Sequence, residues 1–349
     1  MTRGRPEPAR DDRDERDERD ERYDRQIRAF GADTQHQLSR LTVGVVGVGG
    51  AGSLVVQGLA HLGVGRLLLV DPDRVETSNL ARLVGATPAD ARQATPKVDV
   101  ASRLARAINP DLAVTPIRGS ILDPTAGHAL SRADILIGAV DGHAPRWAIN
   151  RLAVQYGRLY LDIGVELSRS GSGADLEVGG RVAVVRPDGP CLRCQDGYDP
   201  VLAAREQDPL TRAARRAAGY ESGGRAMPAV SAVSTSTPAG ASPGPAGASP
   251  GPAGSSPGPA GSSPGPAASV LFLNQAVVAL ALGELVNSLT PWRATAQQIL
   301  LDLVQPRLTN LSADSDPICP VCGPDGIRGS GTMGHHRRRP QHQGAHQRR

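Results

Sequence analysis

Two sets of residues in this 349-residue chain have a spacing that chemistry would need: a glycine run and two cysteine pairs. Gly47-Val48-Gly49-Gly50-Ala51-Gly52 fits Gly-x-Gly-x-x-Gly. In such a run Gly47 permits a tight turn, Gly49 lets the backbone approach a bound group, and Gly52 allows close helix packing. Gly50 belongs to the same lining. The helix opening behind the run offers unpaired N–H groups to phosphate. Asp71 lies nineteen residues beyond Gly52, where a carboxylate accepts hydrogen bonds from ribose hydroxyls. Together these predict nucleotide binding and leave the nucleotide open. On this motif alone an NAD-dependent oxidoreductase is the default reading.

The residues that follow change that default. Asp73 adds a second carboxylate, Asn79 and Arg82 come just after it, and Lys97 follows Pro96. A dinucleotide site needs few cations, whereas a triphosphate carries several negative charges to be neutralised as pyrophosphate departs. Arg82 and Lys97 meet that need as a set. Either alone would pass for an ordinary surface Arg or helix-start Lys. No His-Asp pair suited to hydride transfer is evident.

Cys191-x-x-Cys194 and Cys319-x-x-Cys322 are the four cysteines of the chain. Each pair sits among Pro and Gly, as a tetrahedral Zn²⁺ with four thiolates requires. A redox Cys-x-x-Cys usually opens a helix behind a strand, which Pro190-Cys191-Leu192-Arg193-Cys194-Gln195 does not resemble. The four cysteines are therefore expected to hold structural Zn²⁺, stapling the C-terminal segment to the middle of the chain.

The patterns that must position these residues alternate in the βα manner. Leu41 to Val46 reads as a buried strand, Ser53 to His61 as the helix after the glycine run, and Leu67 to Val70 as a second strand. Lys97 to Ile108 reads as a helix closed by Asn109-Pro110. Ile135 to Val140 is a strand, a helix passes through Trp147, Asn150 and Ala153, and Leu159 to Ile163 is a further strand. Strands separated by helices of this length predict an α/β fold, Rossmann-like and doubly wound, with a mostly parallel sheet and an appended zinc-stapled C-terminal region. Aromatic residues are 3% of the chain, so the core is built from Val, Leu, Ile and Ala, as parallel sheets permit.

The flanks are of another composition. Residues 11–22 repeat Asp, Glu and Arg without an apolar stripe and are read as a disordered arm rather than a salt-bridged helix. A heptapeptide, Pro-Ala-Gly-Ala/Ser-Ser-Pro-Gly, occurs four times from Pro238 to Gly265. Its composition cannot bury enough apolar surface to order itself, so 236–268 is expected to be a flexible insertion. The net charge of +4 comes largely from a tail running His335 to Arg349, read as solvated, because no aromatic is interleaved for base stacking. No secretory h-region is readable, which predicts a cytoplasmic protein. The most apolar window, Val270 to Leu282, is shorter than the roughly 20 residues of a bilayer span, so none is expected. Ala203 to Gly219, rich in Arg and Ala, reads as a connecting helix or a cover for the site. His143 is expected to make a peripheral polar contact.

Arg22-Tyr23-Asp24-Arg25-Gln26 before the first strand, the glycine run, the Asp71 to Leu80 segment, Pro96-Lys97, and Asp141 five residues before Arg146 jointly resemble the ThiF/MoeB/HesA adenylyltransferases. These share their fold with the ubiquitin-activating enzymes. The resemblance runs from about Arg22 to Cys322, apart from the heptapeptide insertion. It implies residues 22–325 as the adenylation domain, 1–21 as an arm and 326–349 as a tail. It also implies that Asp71 holds ribose, that Asn79, Arg82 and Lys97 hold phosphates, and that Asp141 orients Mg²⁺ and the α-phosphate of ATP. Arg25 would reach into the neighbouring ATP site of a homodimer. The implied partner is a small ubiquitin-like or sulfur-carrier protein, or a peptide, with a free C-terminal carboxylate.

Two departures from the family pattern stand out. The usual Asp-Asn reads Asp141-Gly142, and the usual Asn-Arg-Gln reads Ala81-Arg82-Leu83. The span from Gln195 to Pro317 contains no cysteine, which predicts that the reaction stops at the acyl-adenylate without a thioester. Two other readings compete: a scaffold that binds a ubiquitin-like partner without turnover, and an enzyme adenylating an RNA-linked carboxylate.

Overall fold

The computed structural model describes residues 12–169, 176–208 and 269–331. Five parallel strands form one half of its sheet: β1 (Thr42–Val46), β2 (Arg66–Val70), β3 (Ala113–Ile117), β4 (Ile135–Gly138) and β5 (Leu159–Arg169). Strands β6 (Leu176–Val185), β7 (Gln298–Asp302) and β8 (Arg307–Leu311) extend it antiparallel. The order is β3-β2-β1-β4-β5-β6-β7-β8. The run of order reverses between β1 and β4, and a doubly wound sheet opens its ligand crevice at that switch point.

Helices cover both faces, which is why the buried stretches of β1, β2 and β4, after Thr42 and Arg66, are continuously apolar rather than alternating. On one face lie α3 (Gly50–Leu62), α5 (Lys97–Ile108) and the long C-terminal helix α9 (Leu271–Leu289). Val55, Val56, Leu59, Val98, Ala101, Val277 and Leu285 pack there against Val43, Val45, Leu67 and Leu69. On the other face α6 (Pro124–Leu130) and α7 (His143–Tyr156) join the cysteine knuckles around Leu136, Tyr160 and Val185. Between these elements run α1 (Asp12–Phe30), α2 (Ala32–Arg40), α4 (Pro88–Arg92) and α8 (Pro200–Gln207).

Several expected boundaries are moved. The charged arm is helical from Asp12 onward, continuous with the docked part of α1. Its pattern sets Glu15 four residues before Arg19 and Glu18 four before Arg22, a spacing that favours a helix without any apolar stripe. Strand β5 continues past Ile163 to Arg169, because β6 pairs with it over its whole outer length. Helix α9 extends the apolar window to 19 residues, long and apolar enough to cross a membrane by length and composition alone. Here it packs on α3, β5 and β6 and buries Asn274, Glu284 and Asn287 among its apolar side chains. Residues 326–331 join the fold: Gly329 and Gly331 donate backbone N–H to Val154 and Gln155 at 3.1 and 2.9 Å. The heptapeptide insertion and the basic tail lie outside the described residues, as does the segment from 209 to 219.

Candidate functional site

The glycine run occupies the turn from β1 into α3. Gly47 has φ +82°, and a Cβ there would stand 2.4 Å from the Ala139 carbonyl oxygen. A Cβ on Gly52 would stand 1.9 Å from the Gly47 carbonyl oxygen, so both positions demand glycine for packing. Gly49 differs: a Cβ there meets nothing within 4 Å. The open space lies beside the first turn of α3, which carries no side-chain cap and no acidic residue. An uncapped, unobstructed helix N-terminus suits a phosphate group.

Asp71, at the end of β2, accepts the Val48 N–H at 2.7 Å and the Asp73 N–H at 2.8 Å. It therefore holds the glycine turn from the end of the neighbouring strand. Burial pushes its carboxyl up to about 6, although Lys97 and the two backbone donors pull the other way. Asp73 and Lys97 form an ion pair at 2.8 Å, and the Lys97 N–H also donates to the Asp73 carbonyl at 2.9 Å. A bridge between Arg74 and Pro96 sets that register.

Asn79 and Arg82 sit on the loop between. Asn79 is buried and its Oδ1 accepts the Glu76 N–H at 3.1 Å, while Nδ2 contacts Ser78 Oγ at 3.4 Å. Its carbonyl group thus shapes the loop. Arg82 donates to the Ser78 carbonyl at 2.9 Å and lays its stem along Gly50, so its guanidinium lies beside the start of α3. Asp141 follows β4 across the switch point, where it is open to solvent. The protein packed around it raises its pKa by desolvation, and the charges of Arg146, Lys97 and Arg82 lower it, which marks those cations as its electrostatic neighbours. Arg146 itself is buried against Asp162 at 3.2 Å, and Arg181 pairs with the same carboxylate at 2.9 Å.

Gly47, Gly49, Gly50, Gly52, Asp71, Asp73, Asn79, Arg82, Lys97 and Asp141 are thus gathered around one helix N-terminus. Arg25 is not among them. It is exposed on α1, next to Gln26, which donates to the His61 carbonyl at 2.9 Å near the other end of α3. That helix, of 13 residues, is about 20 Å long at 1.5 Å per residue. A surface cleft lined by Arg22, Tyr23, Gln26, Ala60, His61 and Ile108 opens at that far end, away from the glycine run. His143 makes the polar contact foreseen, accepting the Asp199 N–H on Nδ1 at 2.9 Å.

Two residues of the site escaped sequence reasoning. Ser53 Oγ accepts the Val84 N–H at 3.1 Å and pins the Arg82 loop to α3. Asn274, from α9, brings its Nδ2 to 2.5 Å from where a Gly50 Cβ would be. Its only sequence signal is a buried amide interrupting an apolar run.

The four cysteines converge from segments 128 residues apart. Cys191 and Cys319 have their sulfurs 3.8 Å apart, Cys194 and Cys322 3.5 Å, and all four lie within 4.8 Å of one another. These separations are far above a disulfide's 2.05 Å. They approach the roughly 3.8 Å edge of a tetrahedron with Zn–S bonds of about 2.3 Å, so the donor set fits Zn²⁺. Burial pushes the Cys191 thiol up and takes Cys194 to about 11, so a metal would have to displace both protons. Arg328 clamps the knuckles by donating to the carbonyls of Pro187, Gly189 and Cys322.

The ThiF family model matches residues 23–321. The SAMP-activating enzyme E1 of Haloferax volcanii is 34% identical over 164 residues, covering 47% of this chain and 56% of that protein. The sulfur carrier protein adenylyltransferase of Thermus thermophilus is 35% identical over 170 residues, covering 47% of this chain and 58% of that protein. The chain thus spans less than two thirds of the length of these curated relatives. Among solved structures, MccB of E. coli with ATP has a TM-score of 0.57 at 19% identity, covering 86% of this chain and 74% of that one. At that identity the likeness is one of fold. The family match, in contrast, runs through the glycine turn, Asp71, Lys97 and Asp141 and takes in most of the described residues: the chain belongs to the ThiF family.

Proposed function

We propose that this protein is an ATP-dependent adenylyltransferase that activates the C-terminal carboxylate of a small ubiquitin-like or sulfur-carrier protein, or of a peptide, as an acyl-adenylate. The observation that carries this reading is the convergence of an uncapped helix N-terminus, the Asp73–Lys97 pair, Arg82 and Asp141 at the switch point of the sheet.

In the proposed reaction a carboxylate oxygen of the substrate forms a bond to the α-phosphorus of ATP. The bond from that phosphorus to the α–β bridging oxygen breaks, and the electron pair leaves with pyrophosphate. The attacking group is already ionised, so no general base is required, and positioning with charge neutralisation supplies the catalysis. The N–H groups of α3, Arg82 and Lys97 would meet the phosphates, and Asp71 the ribose. Asp141 would hold Mg²⁺, which spreads the charge developing on the leaving group. Arg25, remote from its own crevice, would complete the site of a second subunit in a homodimer.

The four thiolates are assigned to structural Zn²⁺, with residues 22–325 as the adenylation domain and a reducing, cytoplasmic compartment. With its four cysteines so occupied, the chain would pass the acyl-adenylate to an outside nucleophile without a thioester of its own. The test is ATP–pyrophosphate exchange on the zinc-loaded protein, with small proteins ending in Gly-Gly and short free-carboxylate peptides as substrates. Exchange that depends on one substrate and is abolished by Asp141→Ala is the expected result. Unaltered partner binding without exchange in the unmutated chain would favour the scaffold reading.

A further inference from the structure

The departure Asp141-Gly142 has a counterpart elsewhere in the fold. Gly142 is the N-cap of helix α7 and has no side chain to cap the free N–H groups of the first turn. The cap comes from α8 instead: Glu206 Oε2 accepts the Ala144 N–H at 2.8 Å, and this carboxylate is buried. A Cβ on Gly142 would stand 2.9 Å from the same oxygen, so glycine leaves the room that the carboxylate occupies. Beside it the Asp199 N–H donates to His143 Nδ1 at 2.9 Å, and Asp199 Oδ1 caps α8 through Val201 and Leu202. Helix α8 is thus fastened to the two residues that follow Gly142. The other end of the connection is fixed where the Ala139 N–H donates to the Val46 carbonyl at 2.9 Å, next to the glycine turn. Asp141 lies between these two anchors.

We propose that Glu206 is a positioning residue for Asp141, taking over from α8 the place of the amide that the family pattern carries after the Asp. Gly142 and Glu206 form a matched pair: the small residue admits the carboxylate, and the carboxylate caps the helix that aims Asp141. This rests on the adenylation reading of the same crevice.

The experiment compares Glu206→Gln, Glu206→Ala, Gly142→Asn and the double variant Gly142→Asn/Glu206→Ala with the unmutated full chain. It reads pyrophosphate exchange, its Mg²⁺ half-saturation, Mg·ATP affinity by calorimetry, and thermal unfolding. Glu206→Ala and Gly142→Asn are expected to lower kcat and raise the Mg²⁺ half-saturation at least about tenfold, as loss of an outer partner does, with KM for the carboxylate substrate unchanged. Glu206→Gln keeps an oxygen for the Ala144 N–H and stays within about threefold of the parent, since an amide accepts the same bond. In the double variant the introduced amide has room and caps the helix itself, so activity recovers instead of the losses multiplying. Variants that lower the melting temperature but leave kcat and the Mg²⁺ dependence alone would reduce Glu206 to a structural cap. Multiplying losses would overturn the pairing. An unmutated chain with neither exchange nor Mg·ATP binding would fail the adenylation reading itself, and this role with it.

Discussion

Lys97 is tied to Asp73 twice, by an ion pair of 2.8 Å between side chains and by a 2.9 Å bond from its own N–H to the Asp73 carbonyl. Both side chains are largely withdrawn from solvent, at 10% and 13% exposure. The cation proposed for the phosphates is therefore held in place before any ligand arrives. Lys97→Met would leave Asp73 without its partner, lowering unfolding free energy by about 1–3 kcal/mol, below the cost for a fully buried pair. It should also reduce exchange by more than about a hundredfold, as loss of charge stabilisation at a reacting phosphate does. Asp73→Asn should reduce exchange less, because the backbone tie to Lys97 survives. Urea melts and exchange assays on the two variants give the order directly.

Asp71 predicts opposite pH dependences for stability and for ligand binding. Burial raises its carboxyl from 3.8 to about 6. Between those values the folded chain holds a proton that the unfolded chain releases. The stability contributed by this group is complete below about pH 4 and is lost as pH rises through about 6. Ribose hydroxyls need the ionised form as acceptor, so ATP affinity should fall about tenfold per unit below that pKa. Asp71→Asn should flatten both profiles. Calorimetric ATP titrations from pH 5 to 8 would refute the ribose role if affinity were constant in the parent chain.

The cysteine cluster predicts one Zn²⁺ per chain. Chelation, or Cys191→Ser, should remove it and lower the melting temperature by an amount worth several kcal/mol, since binding energy at a structural site is folding energy. Thiol titration should find four reactive groups only after chelation. Arg328→Ala, which removes three donors to the knuckle carbonyls without touching a sulfur, should speed zinc loss to a competing chelator while leaving the ligand count at four. A metal-free native chain with unchanged melting would exclude the structural role.

Four of the five parallel strands were legible because their signals are local, whereas the edge strand β3, largely exposed and interrupted by Pro116, shows no apolar run. The apolar runs of β1, β2 and β4, the glycine run, and the Pro96–Asn109 bracket around α5 each declare themselves within a dozen residues. The antiparallel half was not legible, because β6 is specified by its pairing with β5, β7 by reaching β6 across a long insertion, and β8 by its pairing with β7. The same division runs through the site. Asp71, Lys97 and the cysteines stand in recognisable spacings, whereas Asn274 reaches the glycine turn from a distant helix and Glu206 reaches the start of α7 from α8, and they look, in sequence, like a polar break and a solvated charge. The charged arm is helical without an apolar stripe, so its only sequence signal is the regular spacing of Glu and Arg.

The sharpest separation of fold from function lies in two glycines three residues apart. A Cβ on Gly52 would stand 1.9 Å from the Gly47 carbonyl oxygen, whereas a Cβ on Gly49 meets nothing within 4 Å. Gly52→Ala must push α3 off the turn, and overpacking of this kind costs about 1–3 kcal/mol or more. Gly49→Ala adds its methyl to open space, and stability should stay within about 1 kcal/mol of the parent, as for a surface substitution. If that open space receives the phosphates of ATP, the methyl occupies what the ligand needs, and nucleotide affinity should fall at least about tenfold with the fold intact. The loss in Gly52→Ala would be explained equally well by the displaced turn, so it decides nothing about the ligand. Gly49→Ala binding ATP like the parent would move the nucleotide away from the glycine turn, and with it the role assigned to the N-terminus of α3.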